Sequence, residues 1–269
     1  MSTSSFSVAN LFDLKGRVAL VTGGGTGIGW MIAEGLATNG AKVYITGRRK
    51  EVLENTAASF KQAHGTDNVI PAGQTGPLSK FFNDTDAPEH QSAETLGRAL
   101  FDNESFEGWS EVYSINSASI FFVTTAFLGL LAKGSEDRPG YESCVVNISS
   151  ISGHMKLAQN HFAYNSSKAA AAHLTKMLAT EFALKKIPVR VCGVAPGVYE
   201  SQMTAARLAQ PNGVNHVGLG IIPVPSGRAG SAQEMAGTII YLVSPAGGYT
   251  NGQEIIIDGG YLAVNPSRV

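Results

Sequence analysis

Two periodicities alternate along the chain. Short, nearly unbroken apolar runs such as Arg17-Val18-Ala19-Leu20-Val21-Thr22 read as strands buried on both faces of a parallel sheet. Between such runs lie stretches with helical spacing. Ile28, Ile32 and Leu36 are four apart, and Gly40 is placed to end that helix. A second strand is predicted over 42–46. Strand, glycine turn, helix and strand thus fit within about 30 residues, the size of a βαβ unit. Further on, the pattern predicts a helix over 51–64, a strand over 68–71 and loop-like polar sequence over 72–108. A long apolar helix follows over 109–132, then a strand over 143–148, a helix over 161–186 and a strand over 189–194. Ser231-Ala232-Gln233-Glu234 reads as a capping box opening another helix, and a last strand is predicted over 254–258. Strands alternating with helices define an α/β fold with a parallel sheet.

The glycine turn carries the first chemistry. Gly23 to Gly29 reads GGGTGIG, directly after a strand and opening a helix. Gly23 permits a tight turn, Gly27 lets backbone approach a pyrophosphate, and Gly29 lets helix and strand pack closely. The helix start offers free N–H groups and the positive end of a dipole. A purely structural turn is the alternative. A Walker phosphate loop is excluded, because no Gly-Lys-Ser/Thr follows. After the second strand comes Thr46-Gly47-Arg48-Arg49-Lys50. A site for NAD commonly has an acid there for the ribose 2′-hydroxyl. Three cations in a row suit a 2′-phosphate instead, with Arg48 the best placed. The expected cofactor is therefore NADP(H) rather than NAD(H); a solvated basic helix start is the other reading of this run.

Tyr164 and Lys168 stand four apart on the predicted helix 161–186, hence on one face. Such a pair is usually a surface pair. Brought together in a cleft, an ammonium favours the phenolate and lowers the phenol from about 10 toward neutrality, suiting it to proton transfer. Ser149, Ser150 and Ser152 follow a strand end, where open α/β sheets place their sites. A serine hydrolase is disfavoured, since no G-x-S-x-G elbow is present.

Bulk properties narrow the rest. With 269 residues and 43% hydrophobic content, the chain suits one α/β domain over 14–269 after a tail over 1–13. A net charge of −1 provides no global field for nucleic acid or anionic lipid. No membrane span and no secretion signal are read, so a cytoplasmic enzyme is expected. Cys144 and Cys192 read as core thiols, and the six histidines lack metal-ligand spacing, so no metal is expected. His154 and His161 flank the expected pocket. Phe162, Tyr199 and Met203 either shape its walls or pack the core.

Taken in order, TGGGTGIG (22–29), the Asn of SINSASIFF (Asn116), NISS (147–150), YNSSK (164–168), PGVYESQM (196–203) and NGQEIIIDGG (251–260) resemble the short-chain dehydrogenase/reductase family over about residues 14–262. The chain is most similar to carbonyl-reducing members such as the 3-oxoacyl reductases. The resemblance implies a Rossmann-type, doubly wound parallel sheet in a single domain. It implies an NADP(H)-dependent oxidoreductase acting on a small carbonyl or alcohol, in a homodimer or homotetramer. Tyr164 would be the general acid, Lys168 its modulator and ribose ligand, Ser150 a donor to the substrate oxygen, and Asn116 the holder of a relay water. Gly23, Thr26, Gly27, Ile28, Gly29, Arg48, Ala72, Gly73, Pro196, Gly197, Val198 and Ser201 would bind the cofactor.

One departure stands out. The family has a third strand, a helix and a fourth strand ending in Asn-Asn-Ala-Gly before the long helix. Here only Ala72-Gly73 remains of that motif, and roughly one strand and one helix are missing, somewhat less than a βαβ unit. Losing a central strand would leave backbone groups without partners. Residues 68–71 are therefore expected in the fourth position, with a shortened sheet edge and the helix over 51–64 crossing to the opposite face. The gap also motivates an alternative function: a catalytically impaired scaffold or nucleotide sensor.

Overall fold

The structure, a computed structural model, describes residues 6–47, 49–64, 81, 84, 86–138, 140–199 and 223–265. The stretch read as a tail contains a one-turn helix, α1 (Val8–Leu11), whose start is capped by Ser7. Strand β1 (Val18–Thr22), helix α2 (Gly27–Thr38) and strand β2 (Lys42–Thr46) form the expected βαβ unit, with β1 parallel to β2. Helix α3 (Lys50–His64) follows. The segment 68–71 lies outside the described residues, as do Arg48, Ala72, Gly73, Ser201 and Met203.

The polar stretch read as loop over 72–108 contains helix α4 (Ala93–Asn103). Its start is fixed by a reciprocal cap: Thr95 N donates to Ser92 Oγ at 3.1 Å, and Ser92 N donates to Thr95 Oγ1 at 3.0 Å. The long apolar helix is longer than its pattern implied. Helices α5 (Phe106–Tyr113) and α6 (Ser119–Glu136) are joined by a π-turn over Ser114–Ala118. The whole run is long and apolar enough to cross a bilayer by composition, and most of its surface is exposed.

Strands β3 (Ser143–Ile148), β4 (Val189–Pro196) and β5 (Glu254–Ile257) form a second parallel group in the order β3-β4-β5. Helix α7 (Phe162–Leu184) joins β3 to β4, and α8 (Ala232–Val243) precedes β5. The Ser231–Glu234 capping box opens α8 as read. A short helix α9 (Tyr261–Val264) ends the described chain. Among the described residues no strand lies between β1 and β3, and the segment 68–71 expected there lies outside them. In β1, Val18 is 70% exposed rather than buried.

One helical layer ties the two halves together. Ile32 and Leu36 of α2, Met235, Ile239 and Leu242 of α8, Val21, Val43 and Ile45 of the first group and Cys192 and Val194 of β4 share one cluster. Leu53 of α3 joins it, and Phe60 meets Trp30 edge to face at 5.7 Å between centroids. Helix α3 therefore lies beside α2 and does not cross to the opposite face. Cys144 and Cys192 are free thiols. Arg190, 1% exposed, is balanced by carbonyls: its guanidinium donates to Leu242 O, Gly247 O and Thr250 O, each at 3.0 Å. Two of these acceptors are orphaned by helical ends.

At the seam between α2 and α8, a Cβ on Gly35 would lie 2.4 Å from the Ala236 Cβ. Gly→Ala inside a helix ordinarily stabilises by up to about 1 kcal/mol. Here overpacking should win, and Gly35→Ala should lower stability by about 1–3 kcal/mol in urea unfolding, with Ala236→Gly restoring much of the loss. A gain in stability would contradict the tight seam.

Candidate active site

The glycine turn has the form a dinucleotide requires. Gly23 and Gly27 adopt φ of 71° and 55°, and a Cβ on Gly29 would sit 2.1 Å from the Gly23 carbonyl oxygen. Gly23 N donates to Thr46 O at 2.9 Å, holding the turn over β2. Thr26 is the N-cap of α2 but forms no side-chain cap, so the first amides of α2, those of Gly27, Ile28 and Gly29, point out of the turn. This cradle fits a pyrophosphate. Sequence reasoning missed Thr56: its hydroxyl, near Val52 O at 2.6 Å and Gly25 O at 3.1 Å, ties α3 to the turn. A Thr on a helix gives no signal of a partner 31 residues away.

At the other end of the cleft, Gly197 N donates to Ile257 O at 3.0 Å, and a Cβ on Gly197 would meet the Asp258 Cα at 2.8 Å. The Val198 carbonyl accepts from Gly230 N at 2.8 Å. Pro196, Gly197 and Val198 are thereby fixed at the end of β4.

The remaining side chains converge where β3 ends. Lys168 Nζ donates to the carbonyl of Ile148, the last residue of β3, at 3.0 Å. It also lies 5.6 Å from the centre of the Tyr164 ring. The Ser150 hydroxyl hydrogen-bonds the Tyr164 phenol. Ser150 is itself the N-cap of a short 3-10 turn over Ile151–Gly153 and accepts from Ser152 N at 3.1 Å. Asn147 anchors the strand end to α7, its amide donating to Thr175 Oγ1 at 3.0 Å.

Asn116 sits in the π-turn. Its Nδ2 donates to Ser167 Oγ at 3.0 Å, and the Ser167 hydroxyl donates to Tyr164 O at 2.8 Å. Ser117 Oγ donates to Ser167 O at 2.9 Å. Asn116 thus braces the turn of α7 that carries Tyr164. The π-turn is what swings it inward, and such bulges concentrate at functional sites. No spacing in the sequence signals one.

The electrostatics correct one expectation. Burial holds the Tyr164 phenol above its ordinary value, and the Ser150 hydrogen bond opposes this only in part. The phenol thus stands above its ordinary value rather than lowered toward neutrality. Burial lowers Lys168 itself to about 8, and its ammonium spends a hydrogen bond on Ile148 O. His161 stands edge to face with Tyr164, 6.1 Å between centroids, and so borders the site. His154 is buried and paired with Glu254.

A glycine cradle at one end, and a serine, a phenol and an ammonium converging at the other, define a nucleotide-dependent oxidoreductase site on a Rossmann-type sheet. The comparisons agree. Residues 17–74 match the family model described as short chain dehydrogenase, and 89–262 the one described as Enoyl-(Acyl carrier protein) reductase. The chain is 36% identical to the short-chain dehydrogenase/reductase PhomF of Diaporthe leptostromiformis, covering 98% of each. It is 35% identical to the rhamnolipids biosynthesis 3-oxoacyl-[acyl-carrier-protein] reductase of Pseudomonas aeruginosa, covering 93% of this chain and 98% of that one. The solved Pseudomonas aeruginosa RhlG/NADP active-site complex superposes with a TM-score of 0.74 at 32% identity, covering 93% of this chain and 98% of that one. The chain belongs to the short-chain dehydrogenase/reductase family and is an oxidoreductase. The departure is visible here too. The PhomF alignment runs over 291 positions against 269 residues, and residues 75–88 match neither family model.

A lysine depressed by burial has a signature in stability. Its unfolded value is 10.5 and its folded value about 8, so the unfolded chain binds more protons between those limits. Stability contributed at this position therefore rises with pH across that window. Lys168→Met should be the more stable protein at pH 7, by at most about 3 kcal/mol, and its advantage should shrink between pH 8 and 10.5. Urea unfolding at pH 7, 8.5 and 10 checks this; an advantage that grows with pH would contradict the assignment.

Proposed function

We propose that the protein is an NADP(H)-dependent carbonyl reductase of the cytoplasm, interconverting a small ketone and its secondary alcohol. The observation that carries this reading is the convergence of Ser150, Tyr164 and Lys168 on the end of β3. A bound nicotinamide supplies the hydride. The chain's own residues handle the charge that hydride arrival places on oxygen. Tyr164, kept protonated at neutral pH by burial, donates its proton to that oxygen. Ser150 donates a second hydrogen bond where the negative charge develops. The Lys168 ammonium favours the phenolate left behind and lies within reach of a ribose. Asn116, through Ser167, fixes the helical turn that aims the phenol.

Preference for NADP(H) is supported by Arg48 in the sequence and by the NADP complex of the P. aeruginosa neighbour. Pro196, Gly197 and Val198 would flank the nicotinamide, Gly23 to Gly29 the pyrophosphate. The cytoplasmic assignment is supported by two free thiols on adjoining strands. Pairing between copies is supported by the apolar face of α6, where Phe122 and Leu130 are each 68% exposed, and by Met177 of α7, 51% exposed. The unmatched stretch over 75–88 favours a second reading, a non-catalytic nucleotide sensor.

Purified protein should oxidise NADPH with members of a ketone panel, and Tyr164→Phe should cut the rate by about 10²–10⁴-fold. Unchanged turnover in that variant would reject the assignment, and NADPH binding in a thermal-shift titration without turnover would support the sensor. For reduction, kcat/KM should fall as pH rises through about 8, where Lys168 loses its proton. A flat profile across pH 7–9 would exclude that role. Light scattering should give the mass of a dimer or tetramer; a monomer would rule out pairing through α6.

A further inference from the structure

Glu254 of β5 stands opposite Gly193 of β4 in the parallel register. A Cβ on Gly193 would lie 3.1 Å from the Glu254 Cγ and 3.4 Å from its Oε1. The glutamate side chain therefore crosses β4 through space that only a glycine leaves open. It emerges beneath the turn that follows β3. There its Oε1 accepts a hydrogen bond from Ser149 Oγ, and its Oε2 lies 2.6 Å from His154 Nε2. The His154 and Glu254 side chains are only 6% and 5% exposed. Burial alone would raise the carboxyl; His154, Ser149 and the nearby Lys176 outweigh it and keep Glu254 below its ordinary range.

The two partners of Glu254 bracket Ser150. Ser149 precedes it and donates its backbone N–H to Val194 O at 2.9 Å. His154 follows the 3-10 turn that Ser150 caps, with its N–H on Ile151 O at 2.9 Å. On the far side the same turn rests on the reaction helix: a Cβ on Gly153 would sit 2.8 Å from the carbonyl carbon of Lys168. The Ser150 turn is thus clamped between the Lys168 backbone and a carboxylate threaded from two strands away.

We propose that Glu254 is a positioning residue, whose carboxylate holds Ser149 and His154 on either side of Ser150 and thereby aims the Ser150 hydroxyl at Tyr164. This inference rests on the carbonyl-reductase reading. A shared carboxylate fixes both ends of the turn, so losing it frees the one hydroxyl that must meet the substrate oxygen.

The test is steady-state kinetics of the full chain with NADPH and a ketone from the panel, per NADPH-binding site. Glu254→Gln should lower kcat about 100-fold, the scale of a misplaced reacting group, with KM for the ketone changed less than about threefold. Ser150 is the group that draws the Tyr164 phenol down, so alcohol oxidation in Glu254→Gln should shift to higher pH, as in Ser150→Ala. The double variant should be no slower than Ser150→Ala. If Glu254→Gln does not fold, Ser149→Ala and His154→Gln are to show the same pH shift and the same non-additivity. Wild-type kcat in the Glu254 variant, or losses that multiply with Ser150→Ala, would overturn the inference and leave the reductase reading intact. A wild-type protein without Tyr164-dependent turnover would overturn both.

Discussion

The bond from the Lys168 ammonium to the Ile148 carbonyl is the constraint on which the site depends. It fastens a helix to the end of a strand, and it does so with a charge that burial disfavours. The groups proposed to react are arranged around that junction. Tyr164 is one helical turn away, Ser150 is two residues beyond the strand, and the π-turn carrying Asn116 closes the opposite side through Ser167.

The described strands fall into two parallel groups, and helix α2 packs against α8 across them, with Gly35 on Ala236. The glycine cradle belongs to the first group and the side chains proposed to react to the second, and one helical layer packs against both. Arg190 reinforces it from below, satisfying three carbonyls around the end of α8.

Much of this was legible in the sequence where a local pattern has a local cause. The strand–glycine–helix run, the Ser231 capping box and the YNSSK spacing were all readable, because each depends on residues within a turn or two. What escaped reading depends on distance or on missing cover. Helix α4 was read as loop because its residues are polar, although Ser92 and Thr95 carried the start signal. The π-turn at Asn116 follows from packing against Ser167, not from composition. The raised phenol of Tyr164 reflects burial, which a sequence does not reveal. Glu254 reads as a polar residue in an apolar strand until Gly193 is seen beside it. Arg48, Ala72 and Gly73, expected on the adenine side, and Ser201, expected at the nicotinamide end, fall outside the described residues.

The most direct measurement is isotopic. NADPH deuterated at the transferable position of the nicotinamide is incubated with the enzyme and a ketone in ordinary water, and the alcohol is examined by NMR or mass spectrometry. A reductase built around Tyr164 delivers the deuterium to the carbinol carbon and leaves a solvent-derived proton on the oxygen. An alcohol whose carbinol carbon carries solvent hydrogen instead would contradict hydride transfer in this cleft.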